Sequence, residues 1–278
     1  MTIKIVTDST CDLPPAIIEE LGITVVPLYI HVGEQAFLDG VDLSRAEFYE
    51  RLPNFRPFPK TAAPSAQVFR GIYERLAAEG ATEILSIHIS VSLSGTLDIA
   101  RAAAAETKVV PVTVFDSQQL SLGLGFLVAE AARLAAAGRS MTEILSVLEE
   151  KTRRTHVIAA LDTLDYLERS GRMNVVVSRL GKLLRIKPLL KMNSGKPTAE
   201  RVRTSRRAEQ RLIELLTELA PLEKIALVHA SATQKAEALR QKVLHLLPAG
   251  EVLSVEITPV LGAHLGPGAV GFAFISAK

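Results

Sequence analysis

Short β-branched runs and helix-patterned segments take turns along the first half of the chain. Ile3–Thr7 precedes Pro14–Leu21, whose apolar residues Ile17, Ile18 and Leu21 have helical spacing and whose stop is Gly22. Ile23–Val32, Ile84–Ile89 and Val109–Phe115 read as further strands. Ser65–Glu79, an alanine-rich stretch up to Glu106, and Ser121–Ala137 read as helices. Ser44-Arg45-Ala46-Glu47 is a capping box, and Ser140-Met141-Thr142-Glu143 caps one more helix. Strands separated by helices predict a parallel sheet with helices on both faces. An all-helical bundle leaves the β-branched runs unexplained. Pro53–Pro64 holds four prolines and reads as a loop carrying Lys60-Thr61.

The second half has a mixed α+β pattern. Strands are expected at His156–Leu161, Lys224–His229, Val252–Ile257 and Val270–Ile275, and helices at Leu164–Ser170, Ser205–Leu219 and Ala232–Leu247. Arg185–Lys191 and Glu200–Thr204 flank Asn193-Ser194-Gly195, a hairpin signal. A boundary near Arg153–Thr155 divides the chain into domains 1–154 and 155–278. A length of 278 residues suits two domains, and 48% apolar residues suffice for a sizeable core.

Charge and composition exclude several partners. The net charge of +2 is too small for a dedicated nucleic-acid binder, and the absence of tryptophan weakens a base-stacking role. The single Cys11 rules out an intramolecular disulfide and fits a reducing compartment. The N-terminus lacks a secretory h-region, and Leu122–Gly138 is interrupted by Glu130 and Arg133, so no membrane span is expected. These features predict a soluble, cytoplasmic protein. No phosphate loop, dinucleotide fingerprint or metal cluster is present, and Gly123-Leu124-Gly125 lacks the third glycine of the fingerprint, so no cofactor or metal is expected.

Three polar clusters share one context. Asp8-Ser9-Thr10, Ser90 to Thr96, and Asp116-Ser117 each follow the carboxyl end of an expected parallel strand, where open α/β sheets bind ligands. Taken singly, each is explained by helix capping; together they point to one site. In the second cluster, hydroxyls and Gly95 precede a helix, a setting that favours an anion such as a carboxylate. Gly262-Ala263-His264-Leu265-Gly266-Pro267-Gly268 reads as a sharply bent loop between strands that fixes His264 as a donor to an anion. Arg201, Arg203, Arg206 and Arg207 form the densest basic run, either a solvated face or a dock for an anionic partner. Ser94 and His264 also leave open a serine hydrolase of acyl esters, because triads assemble from any chain order.

In order and spacing these residues resemble the DegV family of bacterial fatty acid-binding proteins. The resemblance rests on Thr7-Asp8-Ser9-Thr10-Cys11-Asp12-Leu13-Pro14, Lys60-Thr61, Leu93-Ser94-Gly95-Thr96, Asp116-Ser117, Tyr166-Leu167 with Gly171-Arg172, Lys187-Pro188, Arg201-Val202-Arg203 and Gly262 to Gly268. It implies the two-domain DegV-like (EDD) fold: an N-terminal parallel sheet with helices on both faces, a C-terminal mixed α+β domain, and a long-chain fatty acid buried between them. It further implies that Thr61 and Ser94 hold the carboxylate with His264 close by. Arg172 and Arg203 then face a partner or the reacting phosphate. That partner is an ATP-dependent fatty acid kinase which phosphorylates the carboxylate, so the chain itself is not catalytic. Two positions depart from the family pattern: Ala62 where Ser is common, and Val91 in place of a hydroxyl. Ser92 is the expected compensating donor.

Overall fold

A computed structural model of the chain describes residues 2–173 and 187–277. Four strands, β1 (Ile3–Asp8), β2 (Thr24–Val26), β6 (Glu83–His88) and β7 (Val112–Asp116), pair in the order β2-β1-β6-β7 and are all parallel, as the alternating pattern requires. The connecting helices are α1 (Pro15–Glu20), α3 (Ala66–Ala78) and α4 (Thr96–Glu106). A second, antiparallel sheet has the order β4-β3-β5, from β3 (Tyr29–Val32), β4 (Gln35–Leu38) and β5 (Lys60–Ala62). The short helix α2 (Arg45–Arg51) lies between β4 and β5 in the chain.

Two expectations change here. Ile23–Val32 is not one strand: Pro27 lacks the N–H that a continuous ladder needs, and β2 and β3 join different sheets. Pro53–Pro64 is not wholly a loop, because the proline-free Lys60–Ala62 pairs with β3, with Ile30 opposite Thr61. As an edge strand, β5 tolerates prolines on both flanks.

Helix α5 (Ser121–Ala136) is buried nearly all round from Ser121 to Ala132. Two glycines two residues apart, on nearly opposite sides of the helix, explain how it fits between the halves. A Cβ at Gly123 would lie 2.7 Å from Val157, and one at Gly125 would lie 2.5 Å from the Cys11 carbonyl oxygen. Gly123-Leu124-Gly125 therefore serves close packing on two sides. Helix α6 (Met141–Arg154) follows, opened by the reciprocal Ser140–Glu143 capping box. At Ser44 only half of the expected box forms: Ser44 caps the Glu47 N–H, while the Glu47 carboxylate pairs with Arg51.

Among the described residues, every strand from Thr155 onward belongs to a third sheet of six strands. These are β8 (Thr155–Ala160), β9 (Lys187–Asn193), β10 (Lys196–Val202), β11 (Leu222–His229), β12 (Leu253–Glu256) and β13 (Val270–Ser276), in the order β10-β9-β8-β13-β11-β12. Only β11 and β12 run parallel. The hairpin forms where expected, with Ser194 and Gly195 both at positive φ in a two-residue turn. Arg185, the expected start of its first strand, lies outside the described residues. Helices α7 (Asp165–Arg169), α8 (Ser205–Glu218) and α9 (Thr233–Lys242) match expectation, except that α9 ends at Lys242 and a 3-10 turn covers Leu244–Leu246.

The Gly262–Gly268 stretch corrects the sequence reading most. It is no loop between strands: Pro259–Leu265 form helix α10, with Pro259 in the first turn, and Gly266 at φ +74° ends it. His264 sits in its last turn. Gly262, which suggests a loop, has a packing role, since a Cβ there would lie 2.4 Å from the Tyr49 hydroxyl and 2.7 Å from its ring. The largest hydrophobic cluster joins Leu122 and Leu127 of α5 to Ile87 in the parallel sheet and Val157 and Ala273 in the six-stranded sheet. No helix among the described residues is long and apolar enough to cross a membrane.

Candidate functional site

The carboxyl ends of β1, β6 and β7 bring the three polar clusters to one edge. Ser117 Oγ donates to the His88 carbonyl at 2.7 Å, and the Ser90 N–H donates to the Gln119 carbonyl at 2.9 Å. Beside that edge is a cavity of about 320 Å³, a volume within the small-molecule range. Its wall is mainly apolar. Leu28, Leu93 and Leu120 come from the first half of the chain, and Val157, Leu190 and Leu261 from the second. Thr10, Thr61, Ser94, Arg172 and His264 also line it.

Proton counting shows what these groups offer a ligand. Thr61 Oγ1 and His264 Nε2 are 3.0 Å apart. Burial, reinforced by the Arg172 charge, pulls the His264 pKa down to about 4, so the ring is neutral at neutral pH. A hydroxyl and a neutral imidazole carry two protons between them. With the ring proton on Nε2, the ring donates to Thr61 and the hydroxyl proton remains for an oxygen in the cavity; with it on Nδ1, Thr61 donates to the ring and has none to spare. The buried Nδ1 has no partner among the described residues, so a proton there would be unsatisfied, which favours the Nε2 tautomer. Ser94 and Thr96 form a similar pair at 2.8 Å, with Ser94 Oγ also accepting from the Thr96 N–H. When Thr96 donates, the Ser94 proton is free.

Thr10 differs. Its Oγ1 donates to Asp8 at 2.5 Å, so it presents only lone pairs to the cavity. Asp8 also accepts from the N–H groups of Thr10 and Ile89 and from His88 Nδ1. Burial raises the Asp8 pKa, but the His88 hydrogen bond and charge, with those from Thr10 and Ile89, hold it below the usual carboxylate value. His88 Nε2 continues to Ser86 at 2.7 Å, and Ser86 to Tyr73 at 2.9 Å. This Asp–His–Ser chain is fully buried and fixes the ends of β1 and β6.

The expected site residues thus separate into two groups. Thr61, Ser94 and His264 line one cavity, and Arg172 lines it with them. Ser92 is absent from the lining: its hydroxyl is 3.0 Å from Ser90 Oγ, inside the loop. Arg203 is exposed outside the cavity, as are Arg201, Arg206 and Arg207. Val91 is 44% exposed and faces away from the lining, so its departure from the pattern does not touch the cavity; Ala62 does line it. The acceptor-only character of Thr10 escapes sequence reasoning because it depends on an aspartate two residues away curling back.

Comparison with known proteins identifies the family. A family model described as the DegV family matches residues 2–277. A DegV domain-containing protein of Streptomyces coelicolor is 38% identical over 97% of this chain and 96% of its own length. A structure described as fatty acid binding of a DegV family protein from Thermus thermophilus superposes with a TM-score of 0.90 at 35% identity, covering 99% of this chain and 100% of that one. DegV of Bacillus subtilis, described as a fatty acid binding protein, superposes with a TM-score of 0.91 at 29% identity, covering 99% of each chain. With a matching family model along nearly its whole length and the same architecture as these relatives, the chain belongs to the DegV family.

Proposed function

We propose that this protein binds a long-chain fatty acid in the cavity between domains 1–154 and 155–278 and presents it to an ATP-dependent fatty acid kinase for acyl-phosphate formation. One observation carries the reading: a mainly apolar cavity whose polar lining holds two hydroxyl groups with protons to give, Thr61 and Ser94, alongside Arg172. Each methylene moved out of water contributes about 0.8 kcal/mol, so a long chain gains on the order of 10 kcal/mol gross. Its carboxylate loses hydration, a cost of several kcal/mol when unpaired. Hydrogen bonds from Thr61 and Ser94 at about 1.5–3 kcal/mol each offset much of that. The Arg172 charge favours the ionised acid, while His264 stays neutral and holds the Thr61 hydroxyl in place.

The hydroxyls serve as donors here, not as nucleophiles. A hydrolase needs Ser94 paired with His264 and an acid behind the ring. Instead Ser94 pairs with Thr96, His264 pairs with Thr61, and no carboxylate meets Nδ1 among the described residues. Arg203, outside the cavity, suits contact with the kinase or the transferred phosphate. Native mass spectrometry of gently purified protein tests the reading. An acyl ligand is expected; an empty protein that also fails to bind added oleate or palmitate would overturn it.

A further inference from the structure

Thr61 and His264 come from different halves of the chain, and their hydrogen bond needs one separation, 3.0 Å between Oγ1 and Nε2. With the ring proton on Nε2, His264 donates to Thr61 and leaves the Thr61 proton for the cavity. Some contact must therefore set where α10 stands relative to β5. The helix does not set this alone, since seven residues are too few for a helix to be stable unaided.

The chain segment that leads to Thr61 also holds that helix. Helix α2 precedes β5, and two of its side chains reach the approach to α10. Tyr49 Oη donates to the Ile257 carbonyl at 3.1 Å, and Arg45 donates to the Glu256 carbonyl. Asp12 and Asp39 hold Thr258 at the helix start, while the Tyr49 ring reaches the next turn, where Gly262 lies. Successive helix residues turn by about 100°, so Gly262 and His264 lie about 200° apart. Tyr49 thus supports the helix from behind, while His264 points forward to Thr61. The ring is itself buried and abuts Phe48 edge-on, with 5.3 Å between centroids.

Gly262 marks the contact. Glycine is among the least favourable residues inside a helix, and Gly262 has an ordinary helical backbone, so no turn requires it. What requires it is space. A Cβ there would lie 2.4 Å from the Tyr49 hydroxyl oxygen, 2.7 Å from Cζ and 2.8 Å from Cε1, where ordinary contact begins at 3.4 Å. We propose that Tyr49 and Gly262 are positioning residues: the bare backbone of α10, seated on the Tyr49 ring, sets the Thr61–His264 hydrogen bond and through it the proton that Thr61 offers a ligand. The seat is read from the fold; its effect on a ligand rests on the function proposed above.

Gly262→Ala tests the seat from the helix side. Its methyl group must gain about 1 Å to reach ordinary contact with Tyr49. The ring has Phe48 against it, so the helix gives way and moves towards Thr61. A pair already at 3.0 Å has no room for that shift, and the imidazole turns off the hydroxyl.

Heteronuclear NMR of the His264 imidazole in ligand-free protein reads the pair directly. Wild type is expected to carry a slowly exchanging proton on Nε2. In Gly262→Ala, as in Thr61→Val, that proton exchanges about tenfold faster or more. Oleate affinity gives the second reading. Gly262→Ala weakens binding about tenfold or more where Thr61 is present, and less than about threefold in Thr61→Val, because the hydroxyl it acts through is already gone. A variant that only loosens the fold weakens oleate equally in both backgrounds, and that result overturns the proposal. So does a wild-type His264 signal retained in Gly262→Ala, or a wild-type ring without the Nε2 proton. If Gly262→Ala does not fold, Tyr49→Phe decides, since it keeps the ring and removes the bond to Ile257. About fivefold faster exchange of the His264 proton is then expected, and unchanged exchange overturns the proposal. If wild type binds no oleate while the His264 signal responds as expected, the seat stands and the fatty acid reading falls.

Discussion

Thr61→Val removes one hydroxyl while keeping the β-branched shape that suits strand β5. The residue stays opposite Ile30 and the backbone ladder is untouched. What disappears is the 3.0 Å contact to His264 Nε2 and the spare proton of that pair. A hydrogen bond to a charged group is worth about 1.5–3 kcal/mol. Its loss weakens fatty acid binding by about 10- to 150-fold. Displacement of cis-parinaric acid by oleate measures this, with thermal melting as the check on folding. Thr61→Ser restores the hydroxyl and returns affinity to within a few-fold of wild type. If Thr61→Val melts like wild type and binds within threefold of it, the carboxylate does not lie against Thr61 and the proton count given for the site is wrong.

Other outcomes follow from the same geometry. Arg203→Ala leaves oleate affinity unchanged and lowers turnover by the partner kinase; equal loss of both would move Arg203 into the ligand site. Gly125→Ala places a methyl group 2.5 Å from the Cys11 carbonyl, an overpacking that costs about 1–3 kcal/mol in urea denaturation, and wild-type stability would refute it. Across three buried groups, folding stability is highest near pH 4 and falls from there to about pH 7. Asp12 and Asp39, raised by burial, stabilise below about pH 4 and lose that contribution as pH rises through 6 and 7. His264, lowered to about 4 by burial and then Arg172, stabilises above pH 6.5 and loses that contribution as pH falls towards 4. A urea midpoint still rising between pH 6 and pH 8 would contradict this balance.

The alternating pattern made the parallel sheet legible, because a strand buried on both faces and a helix buried on one leave different apolar spacing. The three polar clusters were legible as a group because they recur at strand ends. Helix α10 was not: His264 lies among glycines and a proline that locally favour a turn, and only the ring of Tyr49, 213 residues earlier, explains Gly262. Nor was β5, since a three-residue edge strand between prolines exists only through its partner β3. Nor was the anchoring of the segment ahead of α10: Asp12 accepts the Thr258 N–H, Asp39 accepts the Thr258 hydroxyl and Arg45 donates to the Glu256 carbonyl, each across more than 200 residues. Local patterning reports what each segment buries; it does not report which distant segment covers it.

Helix α5 has one further consequence. It meets Val157 of the six-stranded sheet at Gly123 and the turn that follows β1 at Gly125, and it belongs by sequence to the first half. A fragment ending at residue 154 would carry a bare greasy rod, and one starting at 155 would show water the slot it fills. The two lobes are therefore inseparable partners in folding, and neither can be borrowed alone by recombination as a free-standing unit.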